Sequence, residues 1–190
     1  MENLLEALEM LLFHARAYLK PYTEALLAEL VPHFYELSGE KKVFNEAAGT
    51  VLDSLKVLVR ASKSSPVLFQ KIEEGLLSLV GDLLQPSAKA YAEDGLELFS
   101  LLLHYTPKIT NVYWDALPVL AGMVLQESSK PLSKSKGIIP SWGFELFPQM
   151  LYALQNYVAR DPEALVSGPD PPISLILTLC ANVNQLTFMK

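Results

Sequence analysis

The chain has a single cysteine, Cys180, among 190 residues, which excludes an internal disulfide framework and a zinc site built on several thiolates. One cysteine fits a reducing compartment. Glycine is sparse at nine residues, and apolar alternation at period two is rare beside abundant Leu and Ala, which weighs against sheet and towards helix. Basic charge is in deficit, with 15 Lys and Arg against 21 Asp and Glu and a net charge of -6. That balance disfavours attraction to nucleic-acid phosphates and favours basic protein partners, although it also serves solubility. The N-terminal MENLLEALEMLL carries acids where a secretory signal needs bases. The longest charge-free stretch, Pro171 to Met189, opens with two prolines and contains Asn182, Asn184 and Gln185, so it reads as a buried helix rather than a membrane span.

Catalytic and cofactor signatures are missing as well. The sequence has no GxSxG elbow, no phosphate-cradling glycine loop followed by lysine, and no GxGxxG after a strand. His14, His33 and His104 stand far apart, without a Cys, His or carboxylate at metal-site spacing. Glu73-Glu74 and Glu93-Asp94 are adjacent pairs, and adjacent helical residues diverge instead of converging as an acid and a base must. The expectation is no enzyme, no metal and no cofactor.

What the sequence does contain is helical punctuation. Leu4, Leu5, Leu8, Leu12 and Ala15 mark a first helix over 2–19, after which Pro21 restarts the chain. A helix to Leu37 stops at Ser38-Gly39, and another is expected from Lys42 to Ser62. Ser65-Pro66 is expected to cap and open the next, with Pro at the first position. Further helices are expected from Ser87 to about His104, Asn111 to Gln126, Ser141 to Val158 and Ile173 to Phe188. Pro21, Pro66 and Asn111 recur at a 45-residue interval, as do Lys42 and Ser87. That interval suits helical hairpins of the HEAT or armadillo kind, whose apolar stripes are covered only when neighbours stack. The reading is therefore all-α: a right-handed α-solenoid of about four antiparallel HEAT-type pairs, forming one segment over 1–190. Glu127 to Pro140 is expected to be an exposed loop insertion, and the apolar ends suggest a fragment of a longer solenoid.

Two stretches carry a family resemblance. LVPHFYELSGEKKVFNEAAGTVLDSLKVLV, Leu30 to Val59, looks like a HEAT hairpin with a proline late in its first helix, a feature that Pro32 shares with Pro118. SWGFELFPQMLYALQNYVARDPEALVSGPD, Ser141 to Asp170, resembles the C-terminal region of importin-β (karyopherin-β) nuclear transport receptors, especially the importin-seven and importin-eight branch. VYWDALPVL, Val112 to Leu120, stands where that branch has a tryptophan-centred helix.

The resemblance implies a receptor that shuttles between cytoplasm and nucleus through the nuclear pore and answers to the GTPase Ran. Ran itself would bind other parts of the full-length receptor. This segment would hold protein cargo or a co-receptor, with nucleoporin contacts between outer helices. By the same resemblance the second helices of the hairpins line the concave face, which makes Glu93, Asp94 and Glu97 candidate contacts for basic cargo, against a plain solvated face. Trp142, Phe144 and Phe147 suit either core packing or aromatic recognition. Lys130, Lys134 and Lys136 suit an acidic partner, serine phosphorylation nearby or mere solubility. A HEAT-repeat adaptor outside transport is the alternative, since fold does not fix function.

Overall fold

The computed structural model describes residues 20–39, 44–127 and 138–188, together with positions 7, 10–12, 14 and 18. The expected first helix therefore falls largely outside the described residues, as do Lys130, Lys134 and Lys136. The described chain is all-α apart from one short ribbon, and it divides into two compact units, residues 1–107 and 108–190.

Unit 1 contains α1 (Thr23–Ser38), α2 (Glu46–Ala61), α3 (Pro66–Leu83) and α4 (Ala92–Tyr105). α1 pairs with α2 and α3 with α4, and the hairpins stack first helix on first helix and second on second. The sequence explains the order of burial. α2 lies between α1 and α4 and is buried beyond its apolar stripe, to include Ser54 and Lys56; on the stripe Val51, Leu52, Leu55, Leu58 and Val59 are wholly buried. Each such side chain contributes about 1.5–3 kcal/mol by leaving water. The outer helices need only a stripe, as with Ile72, Leu76, Leu79 and Leu83 on α3.

Polar bonds across the stack reproduce the sequence interval. Tyr35 donates its hydroxyl to Asp82 Oδ2 at 2.7 Å, and Lys71 pairs with Glu24, both across 47 residues. The backbone N–H of Asn45 donates to the Tyr91 hydroxyl at 2.8 Å across 46 residues. Phe34 lies edge-on to the same Tyr91 ring, with centroids 5.3 Å apart. Gly95 of α4 has no alternative: a Cβ there would stand 2.7 Å from Leu83 Cβ.

Several helix starts differ from expectation. α2 begins at Glu46 rather than Lys42, because the Asn45 side chain accepts the Ala47 N–H at 2.9 Å and caps the helix there. Pro66 does open α3, but the Ser65 hydroxyl makes no cap bond. Residues Pro86–Tyr91 form a 3-10 turn with Ala88 off helical geometry, so the α-helix expected from Ser87 begins at Ala92.

Unit 2 contains α5 (Asn111–Val124), a two-stranded antiparallel ribbon of β1 (Leu125–Glu127) and β2 (Ile138–Pro140), then α6 (Phe147–Arg160), α7 (Pro162–Val166) and α8 (Pro172–Phe188). The ribbon forms the two stems of the expected loop. Its register pairs Leu125 with Pro140 and Glu127 with Ile138, while the span between lies outside the described residues. Gly143 then donates its N–H to the Met123 carbonyl at 2.8 Å, an approach that leaves no ordinary room for a Cβ. The helix expected from Ser141 starts instead as a 3-10 turn at Phe144–Leu146, and Trp142, Phe144 and Phe147 are half-buried. Asp161 caps α7 by accepting the Ala164 N–H at 3.1 Å. α8 packs on α5 and α7, and the buried Tyr157 of α6 donates to the Tyr113 carbonyl of α5. Pro32 lies inside α1 and Pro118 inside α5, as the resemblance implied.

Candidate functional site

Lys56 is the least expected residue of unit 1. It sits on the α2 face that meets α4, and its side chain is only 5% exposed. Burying an ammonium group is costly unless every donor finds a charged acceptor. Here it does: Lys56 Nζ donates to Asp53 Oδ1 at 2.9 Å and Asp94 Oδ1 at 2.7 Å, and lies 2.9 Å from Glu97 Oε2. Three donors meet three carboxylates. Glu97 is held from its other side by Arg60, whose Nη2 is 2.6 Å from Oε1.

The titration behaviour follows from this crowding. Burial works to strip the Lys56 proton, but the bonds it donates to Asp94, Asp53 and Glu97 prevail and hold the amine well above its ordinary range. For Asp94, the least exposed of the three carboxylates, burial dominates and neighbouring Asp53 and Glu97 add to it, so its pKa is raised despite Lys56. Burial also acts to raise Glu97, but Lys56 and Arg60 together bring it below the usual carboxylate value.

Asp94 and Glu97, both expected to receive basic cargo, are therefore already engaged. Asp94 accepts from Lys56 through Oδ1, and Glu97 meets both Lys56 and Arg60; Glu93 is in the first turn of α4. A basic partner docking on this rim would share Asp94 and Glu97 with the internal cations. The sequence signal for Lys56 was available: it interrupts the apolar run that continues through Val57, Leu58 and Val59.

The other candidates are not brought together. His33 faces Glu36 at 3.4 Å on the surface, and His104 rests against the Tyr105 ring at 4.8 Å. Glu74 accepts from Gln70 at 2.9 Å. Among the described residues no set of three His, Cys, Asp or Glu side chains could hold a metal ion, and no helix is long and apolar enough to cross a membrane. Cys180 is half-buried and free.

Unit 2 offers a groove instead, between α5 and the start of α8, in which Trp114 and Pro118 face Asp170 and two prolines. A smaller apolar hollow of about 180 Å³ lies beside the ribbon, lined by Leu125, Ile138, Leu175 and Leu179 among others.

No protein-family model and no solved structure matches the chain. Over 195 positions, 96% of the chain, it is 22% identical to a protein of Arabidopsis thaliana described as an importin beta-like SAD2 homolog. The chain spans 18% of that relative's length. A likeness of this depth supports the importin-β superfamily and nothing finer.

Proposed function

We propose that this chain is a HEAT-type right-handed α-solenoid segment of about four helix pairs, from the C-terminal part of a nuclear transport receptor of the importin-seven and importin-eight kind. It binds protein cargo or a co-receptor during Ran-dependent import, by reversible association and without chemistry of its own. The Glu93, Asp94 and Glu97 rim is its cargo contact, and Ran acts through other parts of the receptor. The receptor shuttles between cytoplasm and nucleus.

The observation that carries this reading is the layered stacking of the two hairpins of unit 1, with polar bonds joining positions 46 or 47 residues apart. Such bonds repeat the sequence interval in space, which is what a modular stack requires. The importin beta-like relative supplies the functional direction.

The test is a binding assay with this chain and a longer receptor containing it, with and without Ran carrying a non-hydrolysable GTP analogue. Transport predicts basic nuclear proteins bound and then released from the longer receptor by Ran. Ran-insensitive cytoplasmic complexes would leave a HEAT-repeat adaptor outside transport.

A further inference from the structure

The groove of unit 2 has a volume of about 330 Å³, and its chemistry is one-sided. Among the described residues, no lysine or arginine lines it. Three of its residues, Pro118, Pro171 and Pro172, have no backbone N–H to offer. Pro118 also stands four residues after Trp114 inside α5, so it cannot supply the N–H that the Trp114 carbonyl would accept in an uninterrupted helix. Asp170 adds an exposed carboxylate that has no ion-pair partner among the described residues. The half-buried Trp114 ring is placed by the buried Tyr157, with centroids 5.0 Å apart and planes inclined at 38°.

The groove also borders the first turn of α8, and a helix N-terminus ordinarily favours anions through its free N–H groups. Here that preference is blunted. Pro172 opens the helix without an N–H, and the Ser174 N–H is already bonded to the Pro171 carbonyl at 2.9 Å. The full charge of Asp170 exceeds the roughly half charge of a helix dipole.

We infer that this groove receives an arginine side chain from a partner protein, with its guanidinium against the Trp114 indole and hydrogen-bonded to Asp170. Arginine matches the lining on each count: it is cationic, its nitrogens only donate, and its flat head stacks on aromatic rings. Lysine shares the charge but lacks the plane. The volume, at the lower end for ligand pockets, suits one long side chain rather than an inserted helix. This site lies apart in sequence from the Asp94 and Glu97 rim, and it does not depend on the transport reading.

An amide chemical-shift titration of the whole chain tests it, using blocked Gly-Arg-Gly and the corresponding lysine and citrulline peptides as probes. The arginine peptide is expected to shift the amides of 114–117 and 173–175, the lysine peptide to bind more weakly, and the uncharged citrulline peptide to leave the spectrum unchanged. Asp170→Asn, an exposed substitution that leaves the fold intact, weakens the arginine titration roughly tenfold, the scale of one charged hydrogen bond. Trp114→Phe, which keeps a ring, weakens it less. Equal shifts with citrulline, lysine binding as tight as arginine, shifts confined to other regions, or an unchanged Asp170→Asn titration would each overturn the assignment.

Discussion

In unit 1 the stacked hairpins are joined by side-chain bonds in both layers, whereas in unit 2 α5 and α6 are separated in sequence by the β1–β2 ribbon and meet at Tyr157, which donates to the Tyr113 carbonyl. The difference shows where polar groups are consumed. Unit 1 answers its buried ammonium with three carboxylates and its Tyr35 hydroxyl with Asp82, so much of its charge is spent internally. Unit 2 places Pro118 inside α5, where an N–H donor would otherwise satisfy a carbonyl, and keeps Asp170 in a mainly apolar groove beside an aromatic ring. The first arrangement fixes helices in register; the second leaves Asp170 without an ion-pair partner among the described residues.

The largest blow to that contrast is Lys56→Ala. It leaves Asp53, Asp94 and Glu97 facing one another without their shared cation, and is expected to cost about 3 kcal/mol in urea unfolding, since two of the three carboxylates remain half-exposed. A second change, Asp94→Asn, should recover part of the loss. No recovery would mean that packing of the lysine stem matters more than its charge.

Next comes Gly95→Ala, which forces a methyl group to 2.7 Å from Leu83 Cβ and is expected to destabilise by about 2 kcal/mol. Gly122→Ala in α5 is its control: nothing lies within 4 Å of the added Cβ, and helix propensity should make it neutral or stabilising by up to about 1 kcal/mol. Thermal unfolding of both variants decides whether the loss at Gly95 comes from the close approach to Leu83 rather than from replacing a helical glycine.

Tyr157→Phe removes the buried donor to the Tyr113 carbonyl while keeping the ring beside Trp114, for an expected loss of about 1 kcal/mol. Native-state hydrogen exchange should place the loss in α5 and α6 and spare α1 to α4.

The smallest effect is alkaline. Burial, and then the bond to Asp82, push the Tyr35 hydroxyl from 10.0 up to about 12. Between those values the folded chain holds a proton that the unfolded chain has lost, so stability falls as pH rises. Lys56, also raised, acts in the same direction. Tyr35→Phe should flatten part of the decline measured between pH 10 and 12, and an unaltered slope would assign it to other groups.

The hairpin interval was legible because helix breakers recur with it: Pro66 and Asn111 are true starts, and Gly39 ends α1 with φ at 61°. The starts at Glu46 and Ala92 were less legible, since they turn on whether Asn45 caps and whether Pro86 opens a 3-10 turn. The acidic candidates could be read as charges but not as partners. Glu93, Asp94 and Glu97 look alike in sequence, and nothing local shows that Asp94 and Glu97 meet Lys56 and Arg60 of α2.

Composition and periodicity alone determined the helical class, the hairpin interval and the absence of recognisable catalytic motifs, because helix formation depends on local spacing of apolar residues and breakers. The tertiary structure decided which charges are spent and which remain available. Lys56 became the centre of an ion cluster, and Trp114, Pro118 and Asp170 came to share a groove, only because residues distant in the chain were brought within hydrogen-bond or van der Waals reach. Local propensity carries no information about such distances.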